Sequence, residues 1–408
     1  MRSKRGLPAF TVTEKAETSL RAGHPWVYAE EFVSVPEQCE NGCIADVFSQ
    51  KGAYLGSGFY SEKSKIGVRV LSSNANETFG IDFWRRRIKY ALDYRMTVMG
   101  KTDFRACRLI FGEADGMPGL TVDRFENVLV TQVLSYGMER IKPIIYSLLW
   151  ELLAGMGYPI EGIYERSDVA IRELEGLSQF KGWYEPIPHP EQTHTRITEN
   201  GVIYDVDFEN GQKTGFFLDQ KYNRLAVSRL CEGKTVLDCF THTGSFALNA
   251  VKGGAAHVTA VDVSETALEC ARLNARLNGM EDKMDFVCAD IFDYLPELAL
   301  SKKKPYDLII LDPPAFTKSR RTVLSAGHGY REINFRAMKL LPRGGYLATA
   351  SCSHFMETKL FMKAVASAAA EAGVSLRQIE ARAQSPDHPV LWNVPETDYL
   401  KFFIFQVV

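Results

Sequence analysis

Five residues able to do chemistry stand just past short apolar runs in the C-terminal half of the chain. Asp238 closes Thr235-Val236-Leu237 and Asp262 closes Val258-Thr259-Ala260-Val261. Asp290 follows Met284–Cys288, Asp312 follows Tyr306–Leu311, and Cys352 follows Tyr346–Ser351. A carboxylate at a strand end suits a bidentate hydrogen bond to ribose hydroxyls, or acceptance from an adenine amine. A thiol at such an edge suits covalent catalysis. Cysteine is more often a buried, inert residue; here Ser351, Ser353 and His354 make its surroundings polar.

The intervening segments read as helices: Gly244–Val251, Glu265–Leu277 with Ser264 as N-cap and Gly279 as stop, Ile291–Leu300, and Asn334–Leu340. This alternation predicts a parallel sheet with helices on both faces, whose ligands bind beyond the carboxyl ends of the strands. One rim should therefore collect Asp238, Asp262, Asp312 and Cys352. The loop Cys239-Phe240-Thr241-His242-Thr243-Gly244 holds one glycine and no G-x-G-x-x-G. A dinucleotide pyrophosphate needs close backbone approach at several glycines, whereas S-adenosylmethionine, without phosphate, tolerates this loop. Each acid alone is more often an N-cap or a solvated carboxylate; three at consecutive strand ends favour a ligand site.

The fourth run continues as Asp312-Pro313-Pro314-Ala315-Phe316. Two prolines stiffen the loop, so Asp312 is a rigid carboxylate able to grip the amidine edge of a base. Together with a thiol this suits methylation at carbon 5 of cytosine. A thiolate adds at carbon 6, carbon 5 becomes nucleophilic, and a carboxylate at N3 supports the developing charge.

The 408-residue chain is long enough for two or three domains. Residues 1–72 read as short strands with Gly-rich turns, a small barrel. A helical pattern begins at Asp82, β segments follow near 119–122 and 128–134, then a helix at about 141–153 and a strand at Ile163–Arg166. Three prolines between Trp183 and Pro190 mark a boundary. The expected division is 1–73, 74–188 and 189–408. Net charge is −2, yet the first 110 residues carry 17 Lys and Arg against 12 Asp and Glu. A nucleic-acid footprint would thus be local and N-terminal, although ordinary fluctuation explains this excess equally well. No run of 18 apolar residues appears, and the basic N-terminus lacks the apolar core of a secretory signal. The eight cysteines form no disulfide framework, and Cys39 and Cys43 lack the second pair a zinc site needs, so no metal and a reduced cytoplasm are expected.

Further motifs carry a family resemblance. They are Gly23-His24-Pro25-Trp26-Val27-Tyr28, the stretch from Gly112 to Leu120 (GEADGMPGL), Arg166-Ser167-Asp168-Val169-Ala170, and the stretch from Gly211 to Gln220 (GQKTGFFLDQ). With them go Leu237–Phe246, Asp312-Pro313-Pro314, Gly329-Tyr330 and Ser351-Cys352-Ser353. Over nearly its whole length the sequence resembles the bacterial large-subunit (23S) rRNA cytosine carbon-5 methyltransferase family. The resemblance implies a multidomain α/β protein: an N-terminal PUA β-barrel, a central α/β domain and a C-terminal Rossmann-like class I methyltransferase domain. It implies S-adenosylmethionine held at Asp262 and Asp290, with Asp238, Phe240, Thr243, Gly244 and Asp312 around it and Phe216, Asp219 and Gln220 lining the site. It further implies that Cys352 is the nucleophile and that Asp312, with Pro313, holds cytosine. The implied partner is large-subunit rRNA, naked or in an assembling particle, and the implied assembly a homodimer, which no periodicity requires. Some RNA 5-methylcytosine enzymes of other families carry a second cysteine where this chain has Pro314. A base or water must therefore assist elimination here, and the sequence does not name it.

Arg85, Arg86, Arg87 and Lys89 could contact phosphate, although such a run is usually a solvated helix face. Lys318, Arg320 and Arg321, followed by Gly327 and Gly329, read as a basic loop able to close on RNA. Lys15, Arg21, Lys63 and Lys65 lie in the barrel part. His354 and His388 read as structural. Two other functions compete: an adenine N6 or other exocyclic-amine methyltransferase, which needs no thiol, and a non-catalytic RNA-binding assembly factor.

Overall fold

The computed structural model describes residues 5–300, 305–317 and 319–408. Its chain divides into two compact units, one of Met1–Ile197, Val206–Leu218 and Pro386–Thr397, the other of Thr198–Asp205, Asp219–Ser385 and Asp398–Val408. The segments expected as 1–73 and 74–188 fall together in the first unit. Among the described residues no helix is long and apolar enough to cross a membrane.

The first unit opens with β1 (Ala9–Val12), α1 (Glu14–Arg21), β2 (Trp26–Tyr28), β3 (Phe32–Ser34), β4 (Ile44–Ser49), β5 (Tyr54–Tyr60) and β6 (Ile66–Ser72). These six strands make one sheet in the order β2-β6-β5-β4-β1-β3, parallel only at β1–β4. Alternating residues such as Phe10, Val12, Val27, Ala45, Val47 and Val68 fill its core, as the period-two pattern demands. Gly58 is obligatory: a Cβ there would lie 2.0 Å from the Arg69 carbonyl oxygen. Next come α2 (Ile81–Asp103), β7 (Ala106–Phe111), β8 (Leu120–Phe125), β9 (Val128–Val133), α3 (Tyr136–Gly155), β10 (Gly162–Ser167) and β11 (Phe180–Trp183). The five strands form a second sheet, β11-β10-β9-β8-β7.

A hairpin, β12 (His194–Glu199) and β13 (Val202–Asp207), turns through Asn200 and Gly201, both at positive φ. That is the Asn-Gly geometry matching right-handed strand twist.

The second unit continues with α4 (Lys221–Ser228), β14 (Thr235–Cys239), α5 (Ser245–Lys252), β15 (His257–Asp262), α6 (Glu265–Leu277), β16 (Met284–Cys288), α7 (Ile291–Leu300), β17 (Leu308–Leu311), α8 (Val323–Leu340), β18 (Tyr346–Ser351), α9 (Thr358–Ala372), β19 (Leu376–Arg382) and β20 (Lys401–Val407). The seven strands lie in the order β16-β15-β14-β17-β18-β20-β19. The first five are parallel; β20 runs antiparallel to both neighbours. The apolar runs read from the sequence are the buried centre: Leu237, Ile309 and Leu347 are in register and fully buried. Continuous apolar strands are what a sheet covered on both faces requires. One expectation is corrected. Gly327 and Gly329 belong to no loop, because α8 starts at Val323, well before Asn334, and carries both. At Gly329 a Cβ would press on the Phe316 ring at 3.2 Å, so this glycine permits close packing of the helix. Lys318 lies outside the described residues.

Arg224 of α4 and Glu199 of β12 form a bidentate pair (Nε–Oε1 2.6 Å, Nη2–Oε2 2.9 Å), both essentially excluded from solvent. Removing one partner leaves an uncompensated buried charge. Glu199→Leu should lower the unfolding free energy by about 3–5 kcal/mol, measured in urea. A change below about 0.5 kcal/mol, the range of an ordinary surface substitution, would contradict this assignment.

Candidate active site

Strand order reverses between β14 and β17, since β15 follows β14 on one side and β17 joins it on the other. A crevice opens at such a switch point, outside the carboxyl ends. Asp238 and Cys239 lie in register with Ile310 and Leu311, so the loop after β14 and the Asp312 loop after β17 leave the sheet side by side. Leu311 in turn pairs with Thr349, three residues before Cys352.

The β14 loop is strained. Phe240, His242 and Gly244 all take positive φ (64°, 53° and 79°). For non-glycine residues that region is sparsely populated, and such strain gathers at ligand sites. Asp238 sits buried beneath the loop, its Oδ2 accepting from Thr241 Oγ1 (2.6 Å) and the Ala247 amide (3.0 Å). Burial, with the charges of Asp312 and Asp262 added, raises its carboxyl to about 7. Two buried oxygens here, Asp238 Oδ1 and Thr243 Oγ1, have no hydrogen-bond partner among the described residues. Gly244 faces α6, where a Cβ would meet Ala271 at 3.1 Å.

Asp262 ties the loop down. Its Oδ2 accepts from the His242 amide (2.8 Å) and its Oδ1 from the Ser264 amide (2.9 Å). Each oxygen keeps a lone pair for a further donor. Asp290 is exposed and caps α7, accepting from the Phe292 amide (2.8 Å). Val263, 72% exposed, and Phe292, 42% exposed, leave apolar surface at the ends of neighbouring strands. Sequence reading passed over both; their signal is an apolar residue just beyond a strand-ending acid.

Asp312 is oriented from α4's leading turn: Gln220 Nε2 donates to its Oδ1 (2.8 Å) while Gln220 Oε1 accepts from Asn223 (2.7 Å). Asp219 accepts from the Tyr399 hydroxyl (2.6 Å). Phe216 is placed in the first unit, buried. Cys352 is half-buried between two fully buried serines, its Sγ 3.9 Å from the Pro313 carbonyl oxygen, the outer edge of a sulfur hydrogen bond. The turn holding it is clamped. The Tyr330 hydroxyl accepts from Ser351 Oγ (2.9 Å) and lies 3.0 Å from Ser353 Oγ. Lys401 Nζ donates to the Ser353 carbonyl (2.7 Å) and to that of Tyr399 (2.9 Å). Neither β19 nor β20 was expected from the sequence, so Lys401 was missed; its signal is a lysine heading the apolar run Phe402–Phe405. His354 is exposed, against Phe355.

In the first unit the motif residues meet one another. Trp26 Nε1 donates to Glu113 (3.1 Å), and Arg166 donates to the carbonyls of Phe208 (2.8 Å) and Gly211 (2.9 Å). The basic run on α2 is engaged within the protein: Arg85 pairs with Glu151, Arg86 with Glu77 and Lys89 with Asp93, while Arg87 donates to the Leu71 carbonyl over the Phe83 ring. His388 is buried against Asp387, a structural position.

A family model for S-adenosylmethionine-dependent methyltransferases matches residues 184–405, and one for PUA-like domains matches residues 10–73. The chain is 42% identical over 394 residues to ribosomal RNA large subunit methyltransferase I of Aeromonas salmonicida, covering 96% of this chain and 97% of that one. The protein of the same name from Klebsiella pneumoniae is 39% identical over 402 residues, 98% of each chain. Among solved structures, one described as a SAM-dependent methyltransferase from Streptococcus mutans superposes with a TM-score of 0.81 at 21% identity, covering 98% of this chain and all of that one. A methyltransferase complexed with SAH gives 0.83 at the same identity and coverage. These two likenesses bear on the fold.

S-adenosylmethionine fits the rim. The buried Asp238 suits the positive charge of the ligand, and Asp238 Oδ1 and Thr243 Oγ1 are acceptors with no partner among the described residues. The pH dependence follows in sign. A cationic ligand favours ionised Asp238, whose carboxyl stands at about 7 without it. Affinity should therefore rise severalfold from pH 5.5 to 7.0 by calorimetric titration, with protons released on binding, and Asp238→Asn should flatten the profile. A wild-type affinity independent of pH over that range would count against Asp238 as the titrating group.

Proposed function

The chain belongs to the S-adenosylmethionine-dependent methyltransferase family that includes the ribosomal RNA large subunit methyltransferases I, and on that premise we propose that it methylates carbon 5 of a cytosine in large-subunit rRNA through a covalent bond to Cys352. The observation that carries this reading is the half-buried Cys352 thiol beside the rigid Asp312-Pro313-Pro314 loop. The PUA-like residues 10–73 support binding of the RNA by the first unit.

Cytosine carbon 5 is too weak a nucleophile to be alkylated directly. The Cys352 sulfur forms a bond to carbon 6, and the electrons of the carbon 5–carbon 6 double bond move toward N3. Asp312, protonated or sharing a proton, supports N3 as that charge develops, and Gln220 fixes the carboxylate for the task. S-adenosylmethionine supplies an electrophilic methyl group for the activated carbon 5. Loss of the carbon 5 proton then restores the double bond, the carbon–sulfur bond breaks, and its electron pair returns to Cys352. Asp262 and Asp290 would hold the ribose and adenine of the cofactor, and the Phe240–Gly244 loop would border its methionine part. Asp219 joins this set on the resemblance.

An exocyclic-amine methyltransferase stacks its base on an aromatic residue after the two prolines. Here Phe316 is engaged elsewhere, packed on Tyr330 (centroids 4.6 Å apart) and near Phe292 (5.9 Å). That disfavours the alternative.

With unmodified large-subunit rRNA and methyl-labelled S-adenosylmethionine, mass spectrometry of the digested RNA should find the label in 5-methylcytosine. Cys352→Ala should reduce it at least about a thousandfold. Label in another nucleoside, or an active Cys352→Ala protein, would defeat the reading.

A further inference from the structure

Lysine seldom heads a buried strand. In Tyr399-Leu400-Lys401-Phe402-Phe403-Ile404-Phe405 it does, and the antiparallel register of β20 on β18 sets Lys401 opposite Ser351, one residue before Cys352. The side chain is only 7% exposed. Its ammonium donates to two neutral carbonyls, those of Ser353 and Tyr399, and among the described residues no carboxylate pairs with it. A buried ammonium without a directly paired anion is costly, and groups perturbed in this way cluster at functional sites. Burial brings its amine down to about 8, against the raising effects of Asp398 and Cys352. Two described neighbours of the thiol, Tyr330 and Asp312, supply no cation. Tyr330 is a phenol that burial raises further, and so neutral. Asp312, at the head of the proline loop, is an acid and carries no positive charge in either protonation state.

We propose that Lys401 is the counter-cation of the Cys352 thiolate: the anion it lacks at rest is the one created when Cys352 ionises. The proposal rests on Cys352 being the nucleophile. The thiol gives its proton to the neutral amine of Lys401, or to solvent where that amine is already protonated, and the electron pair stays on sulfur. That pair forms the bond to carbon 6 and returns to sulfur when the bond breaks, where the ammonium again steadies it. The carbon 5 proton leaves to water. Lys401 touches neither base nor cofactor in this scheme; it is a positioning residue acting through Cys352, and it holds the Ser353 carbonyl in place meanwhile.

The test is alkylation of Cys352 by iodoacetamide in the full-length protein without RNA, followed from pH 5.5 to 10 by quantitative peptide mass spectrometry. The wild-type midpoint should lie at least about one unit below an ordinary thiol near 8.5. Lys401→Met should raise it by about a unit or more, slowing alkylation at pH 7 roughly tenfold. Lys401→Arg, which keeps the charge, should stay within about half a unit of wild type. A wild-type midpoint at or above that of an ordinary thiol overturns the pairing without recourse to any variant. So does an unmoved midpoint in Lys401→Met, or an equal rise in both variants, which would mark a packing role. Methyl transfer by Cys352→Ala separates the two readings. If that variant stays active, the nucleophile assignment fails. If it is inactive while alkylation does not depend on Lys401, the counter-cation alone fails.

Discussion

Everything at the candidate site depends on one constraint: parallel strands end together. Hydrogen bonding fixes Cys239 beside Leu311 and Leu311 beside Thr349, so the loops leaving these strands emerge on a common rim. The apolar residues that bury this sheet, Leu237, Ile309 and Leu347 among them, have no chemistry of their own. They bring the strand ends that carry Asp312 and Cys352, 40 residues apart in the chain, to one rim of the sheet. The reversal of order between β14 and β17 places a switch point on this rim, and the paired prolines stiffen the loop after Asp312.

Charge at the rim divides into two zones. Over β14 and β15 the groups are anionic and partly buried, and the crowding shows in the raised carboxyl of Asp238. That zone suits a cationic methyl donor. Over β18 and β20 a thiol stands near a buried lysine, in a turn held by Tyr330 on one side and Lys401 on the other. In the proposed reaction a positive donor and a nucleophile that must become negative would thus have separate counter-charges, with the Asp312 strand between the two zones.

The strand-end acids and the thiol were legible because their signal is local: an apolar run, then one polar residue. The same rule found every parallel strand of the second unit. What escaped was non-local. β19 and β20 pair antiparallel at the edge of the sheet, and β20 is so apolar that nothing in its pattern marks Lys401 as more than a flanking charge. The start of α8 was hidden by Gly327 and Gly329, which read as loop residues, although Gly329 answers to the nearby Phe316 ring. The arginine run on α2 looked available for phosphate, yet its carboxylate partners, Glu77 and Glu151, come from outside the run. Nor does linear sequence show that Pro386–Thr397 belongs to the first unit, while the residues flanking it belong to the second.

The covalent bond between Cys352 and carbon 6 of a cytosine, on which the proposed reaction turns, can be caught directly. In RNA carrying 5-fluorocytosine the methylated adduct has fluorine where the departing proton would be, and fluorine cannot leave as a cation, so elimination stops with the bond intact. Incubation of the protein with such rRNA and S-adenosylmethionine should give a protein–RNA species stable to denaturant, its cross-linked peptide containing Cys352. Full methylation of ordinary rRNA with no such species, or a cross-link to a different cysteine, would contradict the covalent mechanism.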